Sequence, residues 1–449
     1  MTKCNNERRG MNRRHVLGLG TGLIATGAGC ATMPPVAASF VTTADSQFRL
    51  AEETYRFVGA NIWYGAYLGS PGPTGNRARL MTELDDMKAL GITNLRVLAS
   101  SELSPLTNSL DPAFSNRTPG DYNEDLLVGL DFLLAEMAKR DMKAVLYLTN
   151  FWEWSGGMMA YLEYTTGAYI NNGDPAHPWP AFADYTSKFY SNGTAVQLYH
   201  HYIRTLLSRT NTVTGRRHVD DPTIMAWQLS NEPRAGGGVE ISVQNMPVYL
   251  KWISDTAALI RSLDPNHLVS LGHEGLMGAV GNEQFVIDAH KDVDYLTAHI
   301  WPQNWGWVDG KNLATTFDSG EKTVAKYIAD HIEIAKKIGK PLVFEEFGFP
   351  RDEGAFLPGT PTVWKDKFYG MIYAAVEDAI KSGSPVMGSN FWAWGGAGRA
   401  QHADYWLQKG ETAYVGDPPH EPQGWYSVFN TDTSTQALIR RHADALKTV

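Results

Sequence analysis

Two acidic residues stand where the chain leaves a core. The run Thr223-Ile224-Met225-Ala226-Trp227-Gln228-Leu229 is strand-like, and it closes on Ser230-Asn231-Glu232-Pro233-Arg234. A helix cap would account for Asn or Asp at such a point, but Glu caps poorly. A second run, Pro341 to Gly348 (PLVFEEFG), ends in Glu345 and Glu346. Two facing carboxylates are what cleavage of a glycosidic bond needs. One is protonated and gives its proton to the leaving oxygen; the other is ionised and attacks the anomeric carbon or activates water. Their surroundings must push the two pKa values apart. Arg96 and a nearby amide would hold one carboxylate ionised, and apolar Trp walls would keep the other protonated. His299, Trp301, Trp392 and Trp394 sit near the ends of two further runs. Trp392 and Trp394 flank Ala393, so on a strand they point the same way. Taken singly, each residue also has a plain structural reading: a Glu facing water, an Arg in an ion pair, a satisfied interior His, packed indoles. The chemistry gains weight only if one fold gathers them at one end.

Other chemistries lack their residues. The histidines are scattered, with no HxH after the first run and no HExxH, so no metal centre is expected. Ala235-Gly236-Gly237-Gly238 has no following Lys-Ser/Thr and is not a phosphate loop. A serine nucleophile lacks its Gly-x-Ser-x-Gly elbow. The net charge is −9 and no block of like charge stands out, which leaves no electrostatic footprint for nucleic acid. The 14 Trp and 20 Tyr suit either a large aromatic core or stacking platforms for flat sugar faces. No organic cofactor is implied.

The elements that must position these residues form a regular series. Short apolar runs occupy Phe57 to Gly65, Asn94 to Ala99, Lys143 to Thr149, Thr223 to Glu232, Leu268 to Glu274, Asp294 to Trp301, Pro341 to Gly348 and Val386 to Trp394. Helix-like stretches alternate with most of them: Arg79 to Leu90, Asn123 to Lys139, Tyr249 to Leu263, Ala325 to Ile338 and Lys365 to Ile380. Eight strands alternating with helices favour parallel βα units, and eight is the number that closes a (β/α)8 barrel. In such a barrel the reactive groups sit at the C-terminal ends of the strands. Arg96, Asn231, Glu232, His299, Trp301, Glu346 and Trp392 all fall there. Long loops at 150–184 and 395–427 would rise on the same end.

The N-terminus reads as a targeting segment. Arg13-Arg14 precede a short, Gly-rich apolar run from Gly18 to Gly29, as in a twin-arginine export signal. The expected division is therefore 1–38 as signal and 39–449 as barrel, with the product in the periplasm, anchored at the outer membrane, or extracellular. Gly27-Ala28-Gly29-Cys30 resembles a lipoprotein cleavage box without its usual Leu. Acylation of Cys30 and cleavage after Ala38 stand as alternatives. Cys4 and Cys30 are the only cysteines, so residues 39–449 hold no disulfide and no thiol nucleophile.

Five stretches in order, NFWEWSGG (150–157), SNEPR (230–234), HIWPQNWGW (299–307), FEEFGFPRD (344–352) and FWAWGG (391–396), resemble glycoside hydrolase family 5, and within it the β-mannanases. The resemblance runs from about residue 46 to the end. It implies a retaining double displacement, with Glu232 as acid/base and Glu346 as nucleophile. It implies that Asn231 bonds the sugar 2-hydroxyl, that Arg96 and His299 orient the nucleophile, and that Trp392 is the platform at the cleavage point. Arg234 would bind sugar on the leaving-group side, and Trp152, Trp63 and Trp301 would be further sugar-binding aromatics. Glu345 should point to the other face of its strand. Many members have Tyr two residues after the strand-six His; here Trp301 stands there, and an indole can only donate. The implied substrate is β-1,4-mannan, glucomannan or galactomannan cut internally. Alternatives are exo action on manno-oligosaccharides if the long loops wall off the cleft, a β-1,4-glucanase, and a non-catalytic carbohydrate-binding barrel.

Overall fold

The computed structural model describes residues 39–448. The export signal, Cys30 and the two cleavage alternatives lie outside the described residues. Eight parallel strands run in chain order: β1 (Phe57–Asn61), β2 (Asn94–Leu98), β3 (Lys143–Tyr147), β4 (Ile224–Gln228), β5 (Leu268–Ser270), β6 (Leu296–Ile300), β7 (Leu342–Phe347) and β8 (Val386–Phe391). They pair in the order β5-β4-β3-β2-β1-β8-β7-β6. The remaining seam, β5 to β6, has no ladder because β5 is only three residues long. Single bonds bridge it, from the Asp294 N–H to the Val269 carbonyl (2.8 Å) and from the His299 N–H to the Glu274 carbonyl (3.0 Å). The expected (β/α)8 barrel is the fold.

A helix follows every strand: α1 (Arg77–Ala89), α2 (Glu124–Ala138), α3 (Gly193–Ser208), α4 (Val239–Leu263), α5 (Glu283–Ala289), α6 (Leu313–Ile338), α7 (Val363–Lys381) and α8 (Thr433–Leu446). Four start on an asparagine whose side-chain oxygen accepts a first-turn amide: Asn76, Asn123, Asn192 and Asn282. Such a cap satisfies a donor the helix leaves orphaned. The sequence reading omits α3, although its buried face (Ala195, Tyr199, Tyr202, Ile203, Leu206) has helical spacing. It also starts α4 at Tyr249, whereas the helix begins at Val239 and continues through Pro247.

The strands are shorter than the apolar runs. The runs also contain the turns that leave the barrel, and those turns are buried beneath the loops. The end without long loops is closed by a hairpin, Val41–Ala44 with Gln47–Leu50, that sequence patterning did not anticipate. Its Phe48 meets Phe57 (6.3 Å between centroids) and Tyr295 (5.2 Å, edge-on), forming an apolar plug with Met225, Val343 and Met387. At the opposite end, 150–184 is not an irregular loop. It holds a 3-10 turn (Glu153–Ser155) and helices at Gly157–Thr166 and Ala181–Thr186. The 395–427 segment is irregular and is gathered at its base by Trp394–Gly396 pairing with Val428–Phe429.

Candidate active site

Glu232 ends its strand through its own backbone. Its φ of +50° is left-handed, which turns the chain out of β4. A side chain with a Cβ adopts that region at a cost of about 1–3 kcal/mol, and such strain persists only where its surroundings enforce it. Here the Glu232 N–H donates to the Gly272 carbonyl (2.8 Å) and the Asn231 N–H to that of Thr149 (2.9 Å). Both neighbouring strand ends thus hold the turn, and Pro233 follows.

β7 departs from simple alternation. Its register against β6 shifts between Phe344 and Glu346, so Glu345 has no ladder partner. An extra residue in one strand cancels the two-residue period locally. Glu345 and Glu346 therefore both reach the barrel interior, and the expectation that Glu345 faces away is corrected. The Glu345 oxygens accept from Gln228 Nε2 (both 2.9 Å) and lie 3.7 Å from Arg96 Nε. Glu346 accepts directly from the Arg96 guanidinium. Arg96 also donates to Gln228 Oε1 (2.7 Å), Asn231 Oδ1 (2.7 Å) and Asn61 Oδ1 (3.1 Å), and it lies over the Tyr147 ring.

His299 stands between the carboxylates. Its Nδ1 is 2.6 Å from Glu232 Oε1 and 3.2 Å from Glu346 Oε2, and its Nε2 is 3.6 Å from Glu345 Oε1. Burial alone would push the imidazole down. The Glu346 charge, the hydrogen bond to Glu232 and the closeness of Glu345 outweigh it and hold His299 well above its usual range. Burial likewise would push Glu232 up, but the His299 hydrogen bond and charge, Arg234 and the Trp152 indole N–H hold it below the usual carboxylate range. Apolar walls keeping Glu232 protonated is thus not the arrangement found. The proton rests with His299, one 2.6 Å hydrogen bond away. Donor atoms of Glu232, His299 and Glu346 all lie within 4.8 Å of one another.

Glu232 and Glu346 border a cavity of about 490 Å³. Trp152, Asn231, Glu232, Arg234, Trp301, Glu346 and Trp392 line it. Arg96 and His299 are buried behind the carboxylates and do not border it, so as positioned here they hold the glutamates and do not meet a ligand in the cavity. Trp63 is a correction. It is fully buried outside the cavity, packed edge-on against Tyr64, Tyr67, Trp154 and Tyr414, with its indole N–H donating to the Gly416 carbonyl (3.0 Å). β1 stops at Asn61, and the turn after it tucks Trp63 under the 395–427 segment. Trp392 and Trp394 also part company. β8 stops at Phe391; Trp392 borders the cavity, edge-on to Trp301 (6.0 Å), while Trp394 is buried in the small parallel pair.

More than half of the wall was not foreseen from the sequence. Trp154 and Trp179 come from the loop after β3, Glu274 from the end of the fifth run, and His420, Glu421 and Trp425 from the last loop. Glu274 had the same signal as Glu232, an acid closing an apolar run, and could have been found. It accepts both arms of Arg234, Nε at 2.5 Å and a terminal nitrogen at 2.6 Å. Burial, against the Arg234 charge, pushes it up to about 7. The two loops are tied together. Glu153 lies 3.5 Å from His420 and Trp154 meets His420 edge-on; Lys409 ties the last loop to a third, the one after β2, donating to the Leu106 carbonyl (3.1 Å) and to Ser109 Oγ (3.0 Å).

With this geometry in place, similarity to known proteins is informative. "Mannan endo-1,4-beta-mannosidase 1" of Arabidopsis thaliana is 28% identical over 375 residues, 80% of this chain and 82% of that protein. The crystal structure of a glycoside hydrolase family 5 mannosidase from Rhizomucor miehei superposes with a TM-score of 0.82 at 34% identity, covering 92% of this chain and 99% of that one. An endo-1,4-beta-mannanase from the same organism shares the fold at 24% identity, with a TM-score of 0.66 over 92% of this chain and all of that one. The family model described as "GH family 5 beta-mannosidase-like" matches residues 38–449, and the chain belongs to that family of glycoside hydrolases.

Proposed function

We propose that this protein hydrolyses β-1,4-mannosidic bonds with retention of configuration, taking terminal units from short manno-oligosaccharides. The observation that carries the reading is the pair Glu232 and Glu346, with an oxygen of each within 4.8 Å of the other, both lining one cavity. Retaining enzymes hold their two carboxyl groups about 5–5.5 Å apart, whereas inverting ones leave roughly 6.5–9.5 Å for a water. Glu346, held by the Arg96 guanidinium, attacks the anomeric carbon as the bond to the leaving oxygen breaks. Glu232 gives that oxygen a proton. It can take this proton from His299 Nδ1 as the buried pair shares one proton between two sites. Water, deprotonated by Glu232, then releases the sugar from Glu346. Asn231, fixed by Arg96 and by an amide contact with Asn150 Oδ1 (3.1 Å), is placed to meet a hydroxyl beside the reacting carbon.

Loop residues in the cavity wall support terminal over internal attack. A cavity of about 490 Å³ is of the size that surrounds one small molecule. It is walled in part by Trp154, His420 and Glu421, and Lys409 pins the last loop to the loop after β2. Burial and the nearby acids Asp417, Glu346 and Glu232 push the Glu421 carboxyl well up, so it is a neutral donor toward a terminal hydroxyl. Internal cleavage of mannan is the second reading, favoured by the name of the Arabidopsis relative. Digestion of mannohexaose separates them. Steady release of one small product supports the first reading, and an early mixture of mid-length oligomers supports the second. Glu232→Gln and Glu346→Gln should each abolish turnover; hydrolysis that survives both would overturn the assignment. The twin-arginine pattern before residue 30 supports placing this activity outside the cytoplasm. The mass of the mature chain from a host with export machinery tests that placement.

A further inference from the structure

Trp179 is an exposed indole at the rim of the cavity. It is 55% exposed, the only tryptophan among the described residues above half, yet it borders the same space as Glu232. A Trp ring offers a large apolar face with a polar N–H at its edge, which suits a surface that meets a ligand. Its neighbour Trp152 is otherwise engaged. That ring stacks on Phe182 (5.9 Å, 7°) and on Trp179 (6.3 Å, 28°), and its indole N–H is given to Glu232. Trp179 is the member of this row with ring surface to offer.

Its position is built rather than incidental. The Arg234 guanidinium lies 5.5 Å from the Trp179 centroid and is itself clamped by both oxygens of Glu274. The glycine run after Arg234 also has a use here. A Cβ on Gly237 would lie 2.6 Å from Pro180 Cβ and 2.8 Å from Ala183 Cβ, so only glycine lets the Trp179 segment close down on the Glu232 turn. The Gly237 N–H then donates to Asp184 Oδ1 (2.8 Å) and locks the two together. Thus Ala235-Gly236-Gly237-Gly238, which serves no phosphate, is the seat of the Trp179 segment.

We infer that Trp179 is the stacking platform for the leaving-group sugar, the unit that departs with the oxygen Glu232 protonates, and that it sets how strongly length on that side is rewarded. The inference rests on the proposed retaining mannosidase reading, because Glu232 as proton donor is what makes this the leaving-group side. An indole face accepts the C–H face of a pyranose without demanding one hydroxyl pattern. Arg234 beside it donates to the sugar edge.

The test compares Trp179→Ala, Trp179→Phe and the parent protein on β-mannosyl fluoride, mannobiose and mannotriose. It also measures mannotriose affinity by calorimetry in a Glu346→Gln background, with and without Trp179→Ala. The expected result is a loss in kcat/KM for mannotriose exceeding that for β-mannosyl fluoride by about tenfold, carried in KM, with most of it restored by Phe. Mannotriose affinity falls by a similar factor, the equivalent of about 1.4 kcal/mol. Equal losses on all three substrates, or unchanged mannotriose affinity, overturn the platform, and so does a Glu346→Gln protein that binds no mannotriose. If the parent cleaves no β-mannoside while Trp179→Ala still weakens mannotriose binding, the hydrolytic reading fails and the platform stands.

Discussion

Arg96→Met probes the electrostatic centre of the site. Methionine keeps an unbranched stem of similar reach and removes the charge. Arg96 is about 1% exposed, and it faces Glu345 and Glu346, each about 2% exposed. In water the lost attraction would be small. Here the substitution leaves buried carboxylates short of their counter-charge, and breaking a buried pair from one side costs about 3–5 kcal/mol. Losing the contact with the Tyr147 ring, 4.6 Å away, adds to that. Relief from burying the guanidinium itself works in the other direction, so a net loss of about 4 kcal/mol is reasonable. Unfolding entropy is about 2.1 cal/mol/K per residue. For the barrel, residues 39–449, about 4 kcal/mol lowers Tm by about 5 °C. The assay is calorimetry at one scan rate and pH 7 on Arg96→Met, Glu346→Gln and the double variant. If the cost is an uncompensated charge, Gln at 346 removes part of it. The double variant should then be more stable than the summed single losses by about 1–3 kcal/mol, the usual range for coupled neighbours. Strict additivity, or a single variant melting within about 1 °C of the parent, would refute the view of Arg96 as a buried counter-charge.

Three further outcomes are expected. Burial, against the Gly157 N–H and nearby hydroxyls, pushes Glu102 up to about 8. The unfolded chain ionises near 4.5 while the folded one stays neutral, so this group lowers stability as pH rises from about 4.5 to about 8, by at most about 1.4 kcal/mol per pH unit. The Tm of Glu102→Gln should therefore gain on the parent across that window, and a gap constant with pH would contradict it. Trp63→Phe should lower stability by about 1–3 kcal/mol through lost packing and the lost bond to Gly416, while KM stays within about twofold, since Trp63 faces no cavity. A large KM change without a stability change would restore Trp63 to the binding surface. A Cβ on Gly348 would lie 2.5 Å from Trp301 Cζ3, so Gly348→Ala should displace Trp301 from Trp392 and lower kcat/KM by about tenfold or more, with Tm reduced by only a few degrees. Full activity would mean that Trp301 has no fixed pose to lose.

Much of this was legible in one dimension because barrels repeat a local pattern. Eight apolar runs with polar residues at their ends locate the strands and rank Asn231, Glu232, His299 and Glu346 as a group, since chain direction alone sends strand ends to one face. Helix starts were readable for the same local reason only in part: Asn123 opens a stretch placed from the sequence, whereas Asn192 and Asn282 carry the same kind of cap and their helices were not placed. The hairpin at Val41–Leu50 was not. It is stabilised by Phe57, Tyr295 and Met387, partners far along the chain, and an isolated hairpin of that size has little stability of its own.

The sequence by itself determined which residue types stand at the strand ends, and so the class of chemistry. Tertiary structure decided which of them face one another. Period-two alternation sends Glu345 outward, but a register shift beside β6 brings it in to share Arg96 and His299 with Glu346. The same rule pairs Trp392 with Trp394, yet the strand stops at Phe391, before both, and only Trp392 borders the cavity. Glu232 looked like an acid for apolar walls to protonate. Its protonation is instead governed by His299, 67 residues away in the chain and 2.6 Å away in space. Trp63, Trp179 and Glu421 are aromatic or acidic residues whose roles depend on which loop covers them. Loop cover is set by long-range contacts such as Lys409 to Ser109, and no local spacing encodes those.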